Sequence, residues 1–245
     1  MKADSAVQRR LLDLAEVDAE LSRVNHRRRT LPETAEITEA ERNVQAKRDA
    51  LVTIETRLGD LNRDSRRQET EIEQVRARYD RDQGLLTGGT LGAKQLADLE
   101  HEVGTLRRRQ AALEDDLLEL MERREAVEAD AERARTDLDK AQEALTDAGR
   151  RRDLALADLD STEARRTADR ALLVGQFPDD LLALYERVRA QRGIGAALLR
   201  ARRCGACRLE LDRTALAAVK AAAADDVLRC EECGAVLVRT SESGL

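Results

Sequence analysis

The sequence is poor in the residues that build a large globular core. Among 245 residues there is no Trp, one Phe and two Tyr, and aromatics make up 1%. A compact domain of this length needs more large apolar side chains than that. There are only two prolines, Pro32 and Pro178, which leaves room for very long helices. No apolar run reaches the roughly 18 residues of a membrane span. The opening residues, Met1-Lys2-Ala3-Asp4-Ser5, hold no apolar stretch of the signal-peptide kind. The expectation is a cytoplasmic protein without a membrane segment. Histidine is scarce too: His26 lies among Arg27, Arg28 and Arg29, and His101 falls on an outer helix face. Neither has an identifiable nucleophile or acid partner, so an enzyme and a small-molecule substrate are not expected.

What is abundant is charge: 38% of residues are Asp, Glu, Lys or Arg, with a net charge of −6 and both signs closely interleaved. That is the pattern of solvated helix surfaces. Beneath it runs a seven-residue repeat from Ile37 to Ala148, on either side of the glycine-rich stretch Gly84 to Gly92. Before the glycines one series reads Ile37, Val44, Leu51, Leu58, Ser65, Ile72, Tyr79, and its partner reads Ala40, Lys47, Ile54, Leu61, Gln68, Val75. After them come Leu96, Val103, Gln110, Leu117, Arg124, Ala131, Leu138, Leu145, with Leu99, Leu106, Leu113, Leu120, Val127, Ala134, Ala141, Ala148. This is the seam of a left-handed coiled coil, and the glycine loop folds it into an antiparallel hairpin. The polar seam residues Lys47, Gln68, Gln110 and Arg124 either fix the register or, for the long stems, snorkel out of a thin seam.

The repeat begins earlier, with Val7, Leu14, Leu21 and Val17, Val24, Leu31, and slips register at Pro32. Thr30-Leu31-Pro32-Glu33 reads as a capping box, and a kink or short break is expected there. The first arm then continues to about Gln83 and the second runs from Ala93 to about Arg170. Near Gly149 the apolar positions shift to Leu156 and Leu159, a stutter. The expected fold is mainly α: a long antiparallel coiled-coil hairpin over residues 1–170, with a kink near 32 and a tip at 84–92. A collar helix and linker follow over 171–199. Pro178-Asp179-Asp180 starts the collar helix, Leu181, Leu182, Leu184, Tyr185 and Val188 give it an apolar side, and Ile194–Leu199 is extended.

Residues 200–245 carry the chemistry. Cys204-Gly205-Ala206-Cys207 and Cys230-Glu231-Glu232-Cys233 are two CxxC pairs with 22 residues between them. Two such turns complete a tetrahedral four-thiolate site with no open position, which fits one structural Zn2+ held by Cys204, Cys207, Cys230 and Cys233. A rubredoxin-type iron site and a redox CxxC are the alternatives, and the doubled motif weighs against the latter. Arg202, Arg203, Arg208 and Arg229 are expected to favour the thiolates. Leu209 and Leu211 fit a short strand, Thr214–Ala224 a helix capped by Asp212 or Thr214, and Val227-Leu228 and Val236–Val238 closing strands: a small C-terminal zinc ribbon with a helical insert.

A coiled-coil hairpin followed by a four-cysteine ribbon resembles the bacterial C4-type zinc ribbon domain proteins, formerly a family of unknown function. The segments that carry the resemblance are Leu96–Val103, Leu113–Met121, Leu181–Val188 and the ribbon. The resemblance implies a zinc-binding adaptor or chaperone-like protein with protein partners, among them sigma-factor, flagellar or secretion components, or with RNA. It places the metal ligands at Cys204, Cys207, Cys230 and Cys233. One departure is Ala235, where relatives carry a basic residue, and it weakens a transferred nucleic-acid role.

Three functions follow. A non-catalytic adaptor, related to transcription or secretion, fits the stiff hairpin and separate knob best. RNA binding is the second reading, on the clusters Arg27–Arg29, Arg107–Arg109, Arg150–Arg152 and Arg165-Arg166. The scarcity of aromatics counts against base stacking. The third is a regulator that enters the secondary channel of RNA polymerase. Asp80 and Asp82 flank the tip, but the loop itself has no acid. The partner's identity and the oligomeric state are not encoded in any motif.

Overall fold

A computed structural model describes residues 1–89 and 92–245. Thr90 and Leu91 of the expected tip lie outside the described residues. The helices are α1 (Ser5–Arg29), α2 (Pro32–Thr87), α3 (Ala93–Val174), α4 (Asp179–Arg192) and α5 (Arg213–Ala221), and the strands are β1 (Ala196–Arg200), β2 (Arg203–Cys204), β3 (Leu228–Arg229) and β4 (Val236–Val238). The chain divides into two compact units, Glu33–Arg150 and Met1–Pro32 with Arg151–Leu245.

Within Glu33–Arg150, α2 and α3 pair as an antiparallel hairpin. Lys47 meets Asp137 at 2.9 Å and Glu55 meets Arg135 at 2.8 Å, while Glu71 meets Arg109 and Arg78 meets Glu102. The partner number falls as the α2 number climbs, as an antiparallel pair requires. Every seam residue named from the heptads between Ile37 and Ala148 is buried or half-buried. Val75, Leu106 and Leu113 form one apolar cluster, with Ile72 and Tyr79 against it. The polar seam positions take different routes. Lys47 reaches out to Asp137, whereas Gln68 Nε2 donates to Leu113 O at 3.3 Å across the seam. His101 is exposed.

In the other unit, α1 packs on the last turns of α3. Val24, Leu31 and Leu159 form a core with Ala155 and Leu156 beside it, so the shifted register after Gly149 is the one that pairs. The break near Pro32 is real but differs in detail from the capping box. Thr30 ends α1: its N–H donates to His26 O at 3.0 Å, and its hydroxyl donates to the same carbonyl at 2.9 Å. The hydroxyl is spent backwards on α1, and Pro32 simply opens α2 at a position where a missing N–H costs nothing. The buried side of α1 is also wider than the predicted seam. Leu11 is fully buried, and Gln8 and Asp18 are each 3% exposed.

The ribbon is a four-stranded sheet in the order β2-β1-β4-β3. β1 pairs β4 in parallel, Ala196 opposite Val236, and β2 and β3 pair antiparallel on the two sides. The extended stretch predicted at Ile194–Leu199 is therefore a sheet strand. Gly195, just before it, has no room for a side chain: a Cβ would lie 2.5 Å from the Tyr185 ring. The strand expected at Leu209–Leu211 is reduced to a single bridge, Glu210 opposite Arg203, and Leu209 stays 53% exposed. Asp212 caps α5, accepting from Ala215 N–H at 2.7 Å. Arg239 closes the other end of α5, donating to the carbonyls of Ala222 at 3.0 Å, Ala223 at 2.6 Å and Asp226 at 3.0 Å.

Candidate metal centre

The two CxxC turns are built alike. Cys204 N–H donates to Leu209 O at 3.0 Å and Arg208 N–H to Cys204 O at 2.8 Å; Cys230 N–H donates to Ala235 O at 2.9 Å and Gly234 N–H to Cys230 O at 2.8 Å. Both turns need a left-handed residue at their fifth position. The second has Gly234 there, at φ 77°, and the first has Arg208, at φ 67°. Glycine takes this conformation without steric cost, and arginine does not.

The sheet brings the two turns face to face. All four sulfurs lie within 4.8 Å of one another. Cys204 Sγ is 3.8 Å from Cys233 Sγ, and Cys207 Sγ is 3.8 Å from Cys230 Sγ. These separations are far too long for a disulfide. They match the edge of a tetrahedron whose corners sit about 2.3 Å from a central Zn2+, which is about 3.8 Å. Cys204 and Cys230 are buried, while Cys207 and Cys233 are half-buried.

The electrostatics suit a cation. Burial pushes the Cys204 thiol up to about 12, against the pull of N–H groups from Cys207 and Ala206. Burial also raises Cys233, offset in part by the Ala235 N–H. Cys207 is lowered by the Leu209 N–H, which outweighs the effect of burial. Four thiols clustered at coordination distance are the donor set a divalent ion converts to thiolates. Backbone amides, rather than the predicted arginines, are the main groups that favour the thiolates. Arg203 turns to Glu210 at 3.6 Å, Arg229 to Gly234 O at 3.1 Å and Arg202 to Gly244 O at 3.2 Å. Ala235, the departure noted in the sequence, is 1% exposed and belongs to the turn itself.

The same unit holds an arrangement that the heptad reading missed. Asp18 of α1, 3% exposed, accepts from Tyr185 Oη at 2.7 Å and from Arg170 Nε at 2.7 Å, and pairs with Arg189 Nε at 3.1 Å. It holds α1, α3 and α4 together under a core of Leu11, Leu14, Phe177, Leu181, Tyr185, Ala196 and Val236. Its signal in the sequence was an acid on the apolar side of α1, between Leu14 and Leu21.

Each basic cluster has at least one arginine paired with a carboxylate of the chain. Arg28 pairs with Asp160 at 2.5 Å and Glu163 at 2.6 Å, Arg166 with Glu20 and Asp169, Arg109 with Glu71, Arg150 with Asp147 and Arg152 with Asp153. Asp82, one of the two acids near the tip, pairs with Arg78 at 3.8 Å and is only 17% exposed.

Comparison with known proteins agrees with both halves of this description. Residues 14–193 match the CT398-like coiled coil hairpin domain, and residues 203–237 match the C4-type zinc ribbon domain. An uncharacterised protein of Mycobacterium tuberculosis is 45% identical over 246 residues, covering 98% of each chain. One from Mycobacterium leprae is 34% identical, covering 91% of this chain and 96% of its own. A solved structure from Mycobacterium smegmatis superposes with a TM-score of 0.82 at 45% identity, over 98% of this chain and 100% of that one. CT398 from Chlamydia trachomatis shares the fold, with a TM-score of 0.63 at 15% identity over 95% of this chain and 97% of that one. The chain belongs to the family that joins a CT398-like coiled coil hairpin domain to a C4-type zinc ribbon domain.

Proposed function

We propose that this protein is a non-catalytic, zinc-holding adaptor of the cytoplasm. Cys204, Cys207, Cys230 and Cys233 hold one structural Zn2+, and the ribbon and α4 carry much of the surface that protein partners read. The observation that carries the metal half is the 3.8 Å spacing of the paired sulfurs. Four thiolates fill a tetrahedral ion's coordination sphere and leave no position for substrate or activated water. Support for the adaptor half is the exposed ribbon surface around Leu209, which is 53% exposed. No helix among the described residues is long and apolar enough to cross a membrane.

Elemental analysis of the intact protein tests the metal: one zinc per chain is expected, lost when Cys204 and Cys230 are both changed to Ser. Affinity purification from native cells tests the adaptor, comparing the wild type with Leu209→Glu. Loss of a reproducible partner with the metal retained supports the reading. An unchanged set of recovered proteins removes the ribbon from the partner surface.

One observation favours RNA as the second reading. Arg23 and Arg27 of α1 and Arg165 of α3 line one groove, where phosphates would meet converging guanidiniums. Glu20 and Asp158 line the same groove and offset that charge. Gel shifts over a salt series decide it, and absence of binding at low salt ends it. Of the two acids on which the channel-entering reading rests, Asp80 is exposed and Asp82 is paired with Arg78.

A further inference from the structure

The N-terminal residues and the sulfur cluster are joined through one strand. Successive side chains of a strand point to opposite faces, and β4 uses both. Leu237 packs with Cys204 and Cys230, with Cys207, Cys233, Leu211 and Leu228 around them. Its neighbour Val236 packs with Leu11 and Leu14 of α1 and with Leu181 and Tyr185 of α4. β3 leads directly into Cys230 and is held to β4 by Leu228 opposite Leu237 and Arg229 opposite Val236.

The chain just before β3 in turn holds the N-terminus. Ala3 N–H donates to Asp225 O at 2.8 Å, Val227 N–H donates to Met1 O at 3.1 Å, and Lys2 sits opposite Asp226 in an antiparallel bridge. Lys2 Nζ meets Asp225 at 3.0 Å. Gln8 Nε2 donates to Ala3 O at 2.8 Å and lies 3.5 Å from the carbonyls of Ala224 and Asp226.

We propose that metal occupancy at the four cysteines controls whether Met1–Ala3 and the first turns of α1 stay docked on the ribbon. The proposal rests on the zinc reading above. The apolar cluster around the sulfurs is small, with Cys204, Cys230 and Leu237 as its buried members. A ribbon of that size depends on its ion for folding. When the ion leaves, β3 and β4 loosen together. The floor under Leu11 and Leu14 goes with Val236, and the carbonyl and amide that grip residues 1–3 go with the chain before β3. Release bares the side of Leu11 and Leu14 that faces β4, both residues being fully buried while docked. The metal thereby governs an apolar helix face that is not part of its own site.

Hydrogen exchange on the full chain tests this, with metal content measured on the same samples before and after treatment with a chelator. The expected result is loss of protection at residues 3–14 together with residues 228–238, while residues 44–148 keep theirs. Full loss of metal and of protection at 228–238, with 3–14 unchanged, overturns the proposal. A chain that contains no metal as isolated overturns the zinc reading and this proposal with it. Coupling between two sites is reciprocal, which gives a second test. Gln8→Ala removes a docking contact and touches no sulfur. It should weaken zinc affinity by about fivefold in an equilibrium competition with a chromogenic chelator. An unchanged affinity, with helix content intact, overturns the coupling.

Discussion

Tyr185 donates its hydroxyl proton to Asp18 at 2.7 Å across 167 residues of chain, and the same carboxylate binds Arg170 and Arg189. One buried acid thereby ties the first helix to the two that precede the ribbon. Replacing it leaves two guanidiniums and a hydroxyl short of an acceptor, with Glu186 as the remaining carboxylate on both arginines. Asp18→Ala should destabilise this unit by about 3 kcal/mol. Urea unfolding followed by exchange of α1 amides checks it. Asp18→Asn, which keeps an acceptor oxygen, should cost less.

The Tyr185 hydroxyl supplies a pH dependence. Burial first, then the bond to Asp18, push it well above its ordinary value of 10.0. The folded chain thus holds this proton more tightly than the unfolded one. The stabilisation is complete below about pH 10 and declines as pH rises toward the folded value. The slope is up to about 1.4 kcal/mol per pH unit. Tyr185→Phe removes that slope, so wild type and variant should converge in stability as the solution becomes more alkaline. Urea midpoints at about pH 9 and pH 11 measure it.

The two metal turns differ at their left-handed residue, Arg208 in one and Gly234 in the other. Arg208→Gly should relieve about 1 kcal/mol of backbone strain. The expected readouts are a higher melting temperature for the metal-loaded protein and slower zinc release. Gly234→Ala is the converse. It adds a Cβ at φ 77°, 3.1 Å from Arg229 Nη2, and should weaken metal retention.

Ser65 occupies a seam position at 4% exposure, and its hydroxyl has no hydrogen-bond partner. A buried, unpaired hydroxyl is costly. Ser65→Ala should stabilise the α2–α3 pair by about 1 kcal/mol. A lower melting temperature would mean that the hydroxyl sets the register of the hairpin.

Much of this molecule was legible from periodicity and spacing. Every seam residue that the heptads name between Ile37 and Ala148 is buried or half-buried, because a coiled coil repeats one local geometry and each turn reports it. Zinc-type spacing also placed the cysteines on two matching turns, since a CxxC turn is set by its own backbone bonds. Local signals equally foretold the start of α4 at Pro178-Asp179 and the Asp212 cap of α5.

Other features depend on groups distant in sequence. Whether Thr30 would cap the helix before it or the one after could not be read from a four-residue motif, and the carbonyl of His26 took the hydroxyl. The parallel pairing of Ala196 with Val236 joins strands forty residues apart, so neither sequence announces it. Asp18 stands between Leu14 and Leu21 with nothing local to name its partners, and only folding placed Tyr185, Arg170 and Arg189 around it. The arginines near the cysteines were expected to favour the thiolates, but Arg203, Arg202 and Arg229 are held by a carboxylate and by carbonyls nearer to hand. The sequence by itself determined the helical hairpin and the four-sulfur ligand set, since both follow from short-range repeats. Only the tertiary structure decided that Met1–Ala3 and α1 dock on the ribbon, because that docking is made of single backbone bonds, the Gln8 amide and the packing of Leu11 and Leu14 with Val236, all between groups far apart in sequence.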